Sequence, residues 1–557
     1  MPATSIASDV RRAVQDLQSD AFLFRRKRMR TLDHALVWTA RRHPLRVAMA
    51  DGRAPALRFG AVLAKSIFLA RRLRTAWNGQ EKVGILLPPS VPGALVNCAA
   101  LLLGKVPVNL NYTASNEVMA SCARQCKLAT VITTKALLER LPNLQVPGRT
   151  ILVEEIAAAP KSGEKLTAMV IAGMPFRLLK RAIGGGRRRL DDLATVIFSS
   201  GSTGDPKGVM LSHYNIGSNI AQMAQVLMLD GKDRVLGILP FFHSFGFTAT
   251  LALPAAIGIG VVYHPNPLEA RTIGALVRQY RVTLLIATPT FLQAYIRRCT
   301  PEDFGSLQFV MVGAEKLPER LAQAFEDRFG IKPLEGYGCT ECSPVVSVNT
   351  KDFRAAGFRQ VGAKRGHIGH PLPGVTVRVI DPVTMQAVPE GTPGMLLVRG
   401  PNVMMGYLGR PEKTAEVIKD GWYVTGDIAA LDEDGFLTIT DRLSRFSKIG
   451  GEMVPHIRIE DKLHEIAGVA EQTFAVASVP DEKKGERLVV LHTLAEATLA
   501  PVLQRFGECD LPPLWKPRAN QFFHVAALPM LGTGKIDLRG VKEQAAKLVP
   551  EAGATAG

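Results

Sequence analysis

The stretch Phe198–Met210, FSSGSTGDPKGVM, begins where the apolar run ATVIF ends, so a predicted strand leads into a loop of Gly, Ser and Thr. Glycines let backbone N–H groups wrap an anion, hydroxyls add donors, and Lys207 supplies a positive charge. The loop differs from the Walker pattern, because Lys207 stands between Pro206 and Gly208. A Gly/Ser loop by itself is typical of a linker, but the preceding strand and the Pro-Lys-Gly that follows favour phosphate binding.

Short apolar runs alternate with amphipathic, helix-like stretches on both sides of this loop. The runs are KVGILLPPS, ATVITT, ATVIFSS, RVLGILP, VTLLIATP and QFVMVGA. Such runs between helical segments are typical of buried parallel strands joined by crossover helices. They predict a layered α/β architecture whose functional loops follow the strand ends.

The texture changes after Ile368, where Gly and Pro turns separate the alternating runs GVTVRVID, GMLLVRG, GWYVTGD and GFLTITD. This pattern predicts an antiparallel β subdomain that ends near 441–444. The C-terminal part then mixes a predicted helix, Ile459–Ile466, with predicted strands Gln472–Val479 and Leu488–Leu494. A small α+β domain is the expected result.

We therefore expect an α/β fold with a large multi-layer N-terminal domain, containing parallel sheets and a β subdomain, and a small α+β C-terminal domain. The expected segments are a basic N-terminal segment 1–30, the large domain 31–441 with its β subdomain 368–441, and the C-terminal domain 442–557. The length of 557 residues supports more than one domain, because a single core stops growing at roughly 250–300 residues.

Charge and cysteine content indicate which binding partners and which cellular compartment to expect. Sixty-eight Lys and Arg against 50 Asp and Glu give a formal charge of +18, which predicts attraction to polyanions. Zinc-finger spacing and aromatic-basic RNA-binding signatures are absent from the sequence, so nucleic acid is not an expected partner. Seven scattered cysteines and an N-terminus without an apolar signal core predict a cytoplasmic protein.

Two stretches bear on membranes. Phe247–Tyr263 is the longest apolar stretch, but Pro254, Gly258 and Gly260 interrupt it, so buried core is the better interpretation and any membrane contact must be peripheral. Met169–Arg189, MVIAGMPFRLLKRAIGGGRRR, mixes apolar and basic residues. It suits either a solvated surface insertion or a segment lying on the anionic inner face of the cell membrane.

Further motifs follow the glycine-rich loop in order, and together they resemble the adenylate-forming superfamily of acyl-CoA synthetases, luciferase-like enzymes and peptide-synthetase adenylation domains. The resemblance spans nearly the whole chain. The motifs are PFFHSFGF at Pro240–Phe247, VGAEKL at Val312–Leu317, GYGCTECSP at Gly336–Pro344, YVTGDIA at Tyr423–Ala429, DRLSRFSKIGGE at Asp441–Glu452 and LGTGKIDLRG near the C-terminus.

This resemblance implies roles for individual residues, with ATP and Mg²⁺ as cofactors. His243 gates between ATP and the acyl substrate, Glu341 is the magnesium ligand, and Lys535 is the mobile catalytic lysine. The remaining implied contacts are Ser199, Ser200, Gly201, Ser202, Thr203, Gly204, Lys207 and Thr340 with phosphate, Gly313, Ala314, Glu315 and Tyr337 with adenine, and Asp427 and Arg442 with ribose or phosphate. Cys339 and Cys342 form a lone C-x-x-C, and zinc is not expected without a second pair.

The implied chemistry has two half-reactions. A carboxylate attacks the α-phosphorus of ATP to give acyl-AMP and pyrophosphate, and a thiol then displaces AMP. The resemblance implies that the C-terminal domain rotates between them about a hinge near Arg442–Arg445. Ser444 occupies the position where relatives usually have Asp or Lys, which leaves the hinge detail open.

The segments DRLSRFSKIGGEMV, VASVPDEKKGERLVVL and LPMLGTGKIDL look most like the synthetase half of the bacterial acyl-ACP synthetase/2-acylglycerophosphoethanolamine acyltransferase. A long-chain fatty acid is then the expected substrate and acyl carrier protein the expected acceptor, with coenzyme A as the alternative. Two other hypotheses stay open: a catalytically silent lipid- or carrier-binding scaffold, and an adenylating domain for amino or aryl acids.

Overall fold

The computed structural model describes residues 3–199, 206–382, 384–442, 445–449, 452–469, 471–481, 485–530 and 536–549. Within these residues the chain forms two compact units. The first unit contains residues up to 377 together with 398–423, and the second contains 378–397 and residues from 424 onward. The predicted boundary at 441/442 marks where a rotating C-terminal domain would begin, whereas the two units are defined by their compactness. That boundary stays a prediction.

The first unit contains fifteen α-helices and most of the strands among the described residues. Its helices are α1 Ala3–Arg26, α2 Leu32–Arg42, α3 Phe59–Ala76, α4 Val91–Leu102, α5 Asn116–Cys126, α6 Lys135–Arg140, α7 Val153–Ala157, α8 Ser162–Gly173, α9 Phe176–Ile183, α10 His213–Val226, α11 Leu253–Ile257, α12 Ala270–Tyr280, α13 Pro289–Arg298, α14 Glu319–Phe329 and α15 Pro411–Val417. Its strands up to residue 371 are β1 Val47–Ala50, β2 Leu57–Arg58, β3 Lys82–Ile85, β4 Val106–Asn109, β5 Thr130–Thr133, β6 Arg149–Leu152, β7 Leu193–Ser199, β8 Lys207–Ser212, β9 Arg234–Gly237, β10 Gly260–Tyr263, β11 Leu284–Ala287, β12 Phe309–Val312, β13 Leu334–Gly338, β14 Val345–Val348, β15 Phe353–Ala355, β16 Phe358–Gln360 and β17 His370–Pro371.

Two sheets confirm the predicted parallel architecture. One has nine strands in the order β17-β14-β13-β12-β11-β9-β10-β1-β2, and the six strands from β13 to β1 run parallel. The other, β4-β3-β5-β6, is parallel throughout. Strands buried on both faces carry continuous apolar runs, which is why these segments could be identified from sequence.

The run ATVIFSS was expected to be a parallel strand, and that prediction was wrong. It forms β7, which pairs antiparallel with β8 from Leu193↔Ser212 to Ser199↔Lys207. Seven residues separate the two strands, whereas a parallel crossover needs a dozen or more. The glycine-rich loop therefore joins the two strands of a hairpin, and both of its flanking residues lie at the same end.

The later strands are β18 Thr376–Ile380, β19 Gly394–Arg399, β20 Gly406–Tyr407, β21 Ile418–Lys419, β22 Trp422–Leu431 and β23 Leu437–Arg442. Strand β20 joins the hairpin, giving the order β20-β8-β7. The others form the sheet β18-β19-β22-β21, with β23 paired antiparallel to β22. The alternating runs after Ile368 thus form strands as predicted.

The C-terminal part of the second unit is a sheet covered on both faces. It contains β24 Phe446–Ile449, β25 Glu452–Pro455, β26 Phe474–Asp481, β27 Gly485–His492, β28 Phe522–His524, α16 His456–Ala467, α17 Glu496–Glu508 and α18 Leu538–Leu548. Val476 and Val490 join the core with α16 and α17, whereas Ala475 and Val489 join the core with α18. Alternation along each strand produces these two cores.

The basic segment Met169–Arg189 folds into part of α8 and all of α9, and its cations are not all at the surface. Lys180 is 3% exposed, and its Nζ lies 2.8 Å from Asp33 Oδ2. Lys180 also donates to the Leu102 carbonyl at 2.5 Å. Including Lys180 in a surface cluster was therefore wrong, because composition cannot show which face of a helix is buried.

Candidate functional site

The glycine-rich loop begins and ends at predicted site residues. Ser199 ends β7 and Lys207 begins β8, so strand pairing places their backbones side by side. The Lys207 ammonium lies 5.2 Å from the centre of the Tyr407 ring, a cation–π contact. The other predicted loop residues, Ser200, Gly201, Ser202, Thr203 and Gly204, lie outside the described residues.

Three separate motifs meet beside the ends of β12 and β13. A Cβ added to Gly313 would lie 3.3 Å from the Gly336 carbonyl oxygen and 3.8 Å from Cε1 of Phe245. Gly313 follows β12, and Tyr337 lies half-buried within β13. Because neighbouring parallel strands end at the same edge of a sheet, the predicted adenine contacts lie close together.

The segment after Gly313 has an unusual backbone. Ala314 has a φ of 74°, in the left-handed region that residues with a Cβ seldom adopt. Glu315 and Leu317 follow, and the Leu317 amide donates to Oε1 of Glu335 at 3.1 Å. Burial raises the pKa of Glu335 to about 7, so this carboxyl titrates near neutrality. Sequence reasoning missed Glu335, although it directly precedes a recognised motif.

Glu341, the predicted magnesium ligand, lies in a short 3₁₀ turn, Thr340–Cys342, and is 8% exposed. The Tyr407 hydroxyl donates to its Oε1 at 2.9 Å, and the Met404 amide donates to its carbonyl at 2.8 Å. These two contacts fix both the backbone and the carboxylate of Glu341. Tyr407 therefore touches the predicted metal ligand and the predicted phosphate lysine, Lys207.

Buried amide side chains hold the turn in place. Asn402 donates to the carbonyls of Cys342 and Val345 at 2.9 and 3.1 Å, and Asn219 donates to the Val345 carbonyl at 2.8 Å. Ser343 in turn donates to the Asn402 carbonyl at 2.8 Å. Asn402 and Asn219 are fully buried, so these hydrogen bonds form in a low-dielectric environment and rigidify the turn.

The aromatic motif lies against the same turn. Ser244 Oγ donates to Thr340 Oγ1 at 3.3 Å, which joins PFFHSFGF to GYGCTECSP. The neighbouring His243 ring packs against Phe242 with centroids 4.8 Å apart, and Phe242 meets Tyr112 edge-on at 5.1 Å. His243 thus extends from an aromatic cluster beside the Glu341 turn.

Asp427 and Arg442 lie in the second unit, in adjacent antiparallel strands. Asp427 in β22 pairs directly with Arg442 in β23, so the YVTGDIA and DRLSRF motifs are neighbours. Asp427 is 4% exposed, and its amide donates to the Thr425 hydroxyl at 3.0 Å. Lys535 lies outside the described residues, and its predicted role is not described by the structure.

The residues that sequence reasoning missed act by tertiary contact. Tyr407, Asn402 and Tyr423 are far from Glu341 in sequence. Burial raises the pKa of both tyrosines above the usual range of a phenol, and the nearby Glu341 adds to this shift, so both hydroxyls stay protonated. In the sequence, the two tyrosines were marked only by their positions in the runs Gly-Tyr and Tyr-Val-Thr-Gly-Asp.

The site fits a magnesium ion carried with phosphate. Magnesium keeps several waters and binds through one or two carboxylates plus substrate phosphates, so one buried carboxylate is sufficient protein ligand. Among the residues that the structure describes, no group of three or more His, Cys, Asp or Glu side chains could hold a metal ion by itself. Glu341 is therefore suited to a metal that arrives with its substrate.

Comparison with known proteins gives matching results. A family model described as "AMP-binding enzyme" matches residues 36–408. A long-chain-fatty-acid–CoA ligase of Bacillus subtilis is 34% identical over 364 residues, which cover 63% of this chain and 62% of that protein. A feruloyl-CoA synthase of Amycolatopsis is 30% identical over 505 residues, covering 88% of this chain and 96% of that protein. The structure of O-succinylbenzoate coenzyme A synthetase from Bacillus subtilis, in complex with ATP and magnesium ion, superposes with a TM-score of 0.74 at 23% identity, covering 90% of this chain and 98% of that chain.

Proposed function

This chain belongs to the family of AMP-binding enzymes, and we propose that it is an ATP-dependent ligase that activates a long-chain fatty acid as acyl-AMP and passes the acyl group to a thiol. The observation that carries this proposal is the Glu341 turn and the strand ends beside it, where three sequence motifs meet. The printed name of the Bacillus subtilis relative supports the fatty acid, although the match covers 62% of that protein.

The proposed first half-reaction is attack of the substrate carboxylate on the α-phosphorus of ATP. Bound magnesium would neutralise charge on the phosphates during this transfer. Glu341 holds the metal in one place, because its carboxylate is fixed by Tyr407 and its backbone by Met404. Lys207 adds positive charge at the hairpin, and Lys535 stabilises the charge that develops in the transition state.

The remaining predicted residues position the nucleotide and the acid. Gly313, Ala314 and Glu315 with Tyr337 form the proposed adenine pocket, while Thr340 and the loop Ser199–Gly204 bind phosphate. Asp427 accepts ribose hydroxyls and Arg442 supports the same group. His243, set in its aromatic cluster, separates the nucleotide from the acyl chain.

For the second half-reaction we propose rotation of the C-terminal domain 442–557, which removes Lys535 and admits the thiol. Arg445, 9% exposed, forms an ion pair with Glu460 inside the second unit. Glu460 also accepts from the Val476 amide at 2.6 Å. This ion pair ties Arg445 to the C-terminal domain, which supports the proposed hinge near Arg442–Arg445.

The proposed acceptor is the phosphopantetheine thiol of acyl carrier protein. The resemblance of the C-terminal motifs to an acyl-ACP synthetase and the formal charge of +18 support an acidic carrier. Coenzyme A is the second candidate, because the relatives compared are named as CoA ligases or synthases. Both acceptors carry the same pantetheine arm.

We further propose peripheral contact with anionic membrane through 169–189, on the inner face of the cell membrane. In the described part of the chain, no helix is both long and apolar enough to cross a bilayer. A long-chain acid resides in the membrane, so a ligase that meets it there gains access to a concentrated substrate.

The first experiment measures pyrophosphate release with magnesium-ATP and saturated acids of graded length, comparing holo acyl carrier protein with coenzyme A. Release that requires a long chain and continues with carrier protein is the expected result. Turnover with coenzyme A alone would select the second candidate. Release with ferulic acid instead would replace the fatty acid by an aryl acid, and no release with any acid would favour a silent scaffold.

Lys535→Ala separates the two half-reactions. Pyrophosphate release should fall by about 10²- to 10³-fold, because charge stabilisation at the α-phosphate is lost. Transfer from a preformed acyl-adenylate to the thiol should continue. Equal loss of both steps would contradict the proposed division of roles.

A further inference from the structure

Helices α8 and α9 are held rigidly against α3 by their inner faces. Arg72 of α3 forms a bidentate pair with Glu164 of α8, at 3.1 Å from Nε to Oε1 and 2.6 Å from Nη2 to Oε2. Leu179 and Ile183 of α9 are fully buried. These contacts fix which side of each helix faces solvent.

The opposite face carries apolar side chains where polar ones are usual. Leu166, Met169 and Val170 lie three and four positions apart on α8 and are 59%, 56% and 55% exposed. Leu178 of α9 is 53% exposed. Residues at this spacing form one stripe on a helix. Contiguous exposed apolar surface commonly marks an interaction site.

Exposed positive charge lies on α9, the helix that follows α8 in the chain. Arg177 and Arg181 are exposed on α9, one turn apart, on the same side as Leu178. A cavity of about 190 Å³ opens between α3, α8 and α9. Its lining residues are Phe68, Arg71, Arg72, Arg74, Glu164 and Ala182. Because the paired Arg72 and Glu164 line it, this cavity lies on the inner side of α8 and is separate from the apolar stripe.

We propose that the outer face of α8 and α9, defined as Leu166, Met169, Val170, Leu178, Arg177 and Arg181, binds the surface of an anionic phospholipid bilayer. The apolar side chains enter the acyl boundary, and the arginines contact headgroup phosphates. An acidic carrier protein would match the arginines but would leave the apolar stripe uncovered. The inference rests on the proposed membrane contact and names the residues that make it.

The inference changes which residues of the basic segment matter. Lys180 makes no membrane contact, because it is buried against Asp33. Leu166 becomes part of the surface although it precedes the basic segment. High salt should weaken binding to anionic vesicles only in part. It screens the charges of the arginines but leaves the contribution of the apolar stripe.

The test is co-sedimentation of the full-length protein with vesicles of phosphatidylcholine alone or with added phosphatidylglycerol. Wild-type protein should bind only the anionic vesicles strongly. The double variant Arg177→Glu/Arg181→Glu should bind them at least about 30-fold more weakly, from about 1 kcal/mol per basic residue. Replacing Leu166, Met169 and Val170 by Ser together should weaken binding about tenfold or more.

Matched control variants lie elsewhere on the first unit. Leu45→Ser/Met228→Ser changes two apolar side chains that are 72% and 71% exposed, and Arg320→Glu reverses an exposed charge. Both controls should bind anionic vesicles as wild type does. Unchanged binding by both outer-face variants would overturn the proposal. So would unchanged vesicle binding together with lost binding of acyl carrier protein, because the face would then serve the carrier.

Vesicle binding is measured without ATP, acid or thiol, so its outcome is independent of the ligase reaction. A protein that binds vesicles through this face but activates no acid would contradict only the proposed activity. A protein that activates long-chain acids but does not bind anionic vesicles would contradict this inference and the proposed membrane contact, and the proposed ligase activity would stand.

Discussion

Two buried polar clusters of the first unit differ in what they hold. The Asp33 cluster joins α2, α9 and α10: Asp33 pairs with Lys180, and the Leu32 amide donates to Nδ1 of His213 at 3.2 Å. The Glu341 cluster joins Glu341, Tyr407, Thr340 and Ser244 beside the strand ends. Both contain an acid that is less than a tenth exposed, yet only the second lies among the recognised motifs.

The electrostatics of the two clusters follow from their partners. Burial raises the pKa of Asp33, but the charge and hydrogen bond of Lys180 outweigh it, and the net pKa lies below its ordinary value. The buried ammonium of Lys180 therefore neutralises the charge of the Asp33 carboxylate within the fold. At Glu341, by contrast, two uncharged groups hold the residue: the Tyr407 hydroxyl donates to the carboxylate, and the Met404 amide donates to the backbone carbonyl. The comparison teaches that burial alone does not identify a functional acid.

The largest effect should come from breaking the Asp33 pair. Lys180→Met should lower the free energy of unfolding by about 3–5 kcal/mol, because Asp33 is left as an uncompensated buried charge. Urea unfolding measures this change, and activity per folded molecule should stay the same. The double variant Lys180→Met/Asp33→Leu should recover most of the stability. A loss in Lys180→Met no greater than that in the exposed control Arg181→Met would contradict the structural role.

Glu341→Gln should have the opposite profile. Pyrophosphate release should fall by about 10²- to 10³-fold, roughly 3–4 kcal/mol, because a charged metal ligand becomes neutral. The melting temperature should change little, and the magnesium concentration for half-maximal ATP binding should rise. Glu117→Gln, at an exposed helix start, is the control that should leave both unchanged. Normal magnesium dependence in Glu341→Gln would remove Glu341 from the metal site.

As the pH is lowered, the Asp33 cluster should lose stability before Asp33 itself becomes protonated. Burial lowers the pKa of His213 from 6.5 to about 4, so the unfolded chain takes up a proton that the folded chain refuses. Stability is therefore full above pH 6.5 and falls towards pH 4, by about 3 kcal/mol. His213→Asn should reduce this slope in urea unfolding at several pH values. An unchanged slope would mean that His213 is not the responsible group.

Tyr407→Phe should give the smallest effect. Loss of one hydrogen bond to a carboxylate costs about 1.5–2 kcal/mol, so magnesium-ATP binding measured by calorimetry should weaken about tenfold or somewhat more. The ring that faces Lys207 is kept, so Tyr407→Leu should lose further affinity. Equal affinities of the Phe and Leu variants would remove the ring contact from the account, and wild-type affinity in both would remove Tyr407 as a positioning residue.

Much of the fold followed from the sequence because buried parallel strands leave continuous apolar runs. Strands β3, β5, β9, β11 and β12 formed where those runs predicted them. The run that became β7 looked the same, but its pairing depended on the length of the loop that follows it. Pairing direction is a property of connections, which apolar content does not record.

The candidate site divides in the same way. The family resemblance predicted roles for His243, Gly313, Thr340 and Glu341, because each lies in a compact motif, and these roles stay predictions. It could not identify Tyr407, whose hydroxyl reaches Glu341 across 66 positions of the chain. Local patterns specify a residue's neighbours in the chain, whereas such a hydrogen bond exists only after strands and turns have packed.

The sequence by itself determined the α/β class, the position of the glycine-rich loop and the residues that carry the proposed chemistry. Only the tertiary structure decided which charges are internal, as at Lys180, and which apolar side chains face solvent, as at Leu166. The physical reason is that chemistry depends on residue type and close spacing, while burial depends on what other segments cover. The periodicity of a helix shows which residues share a face, and only packing against other segments decides which face is exposed to water.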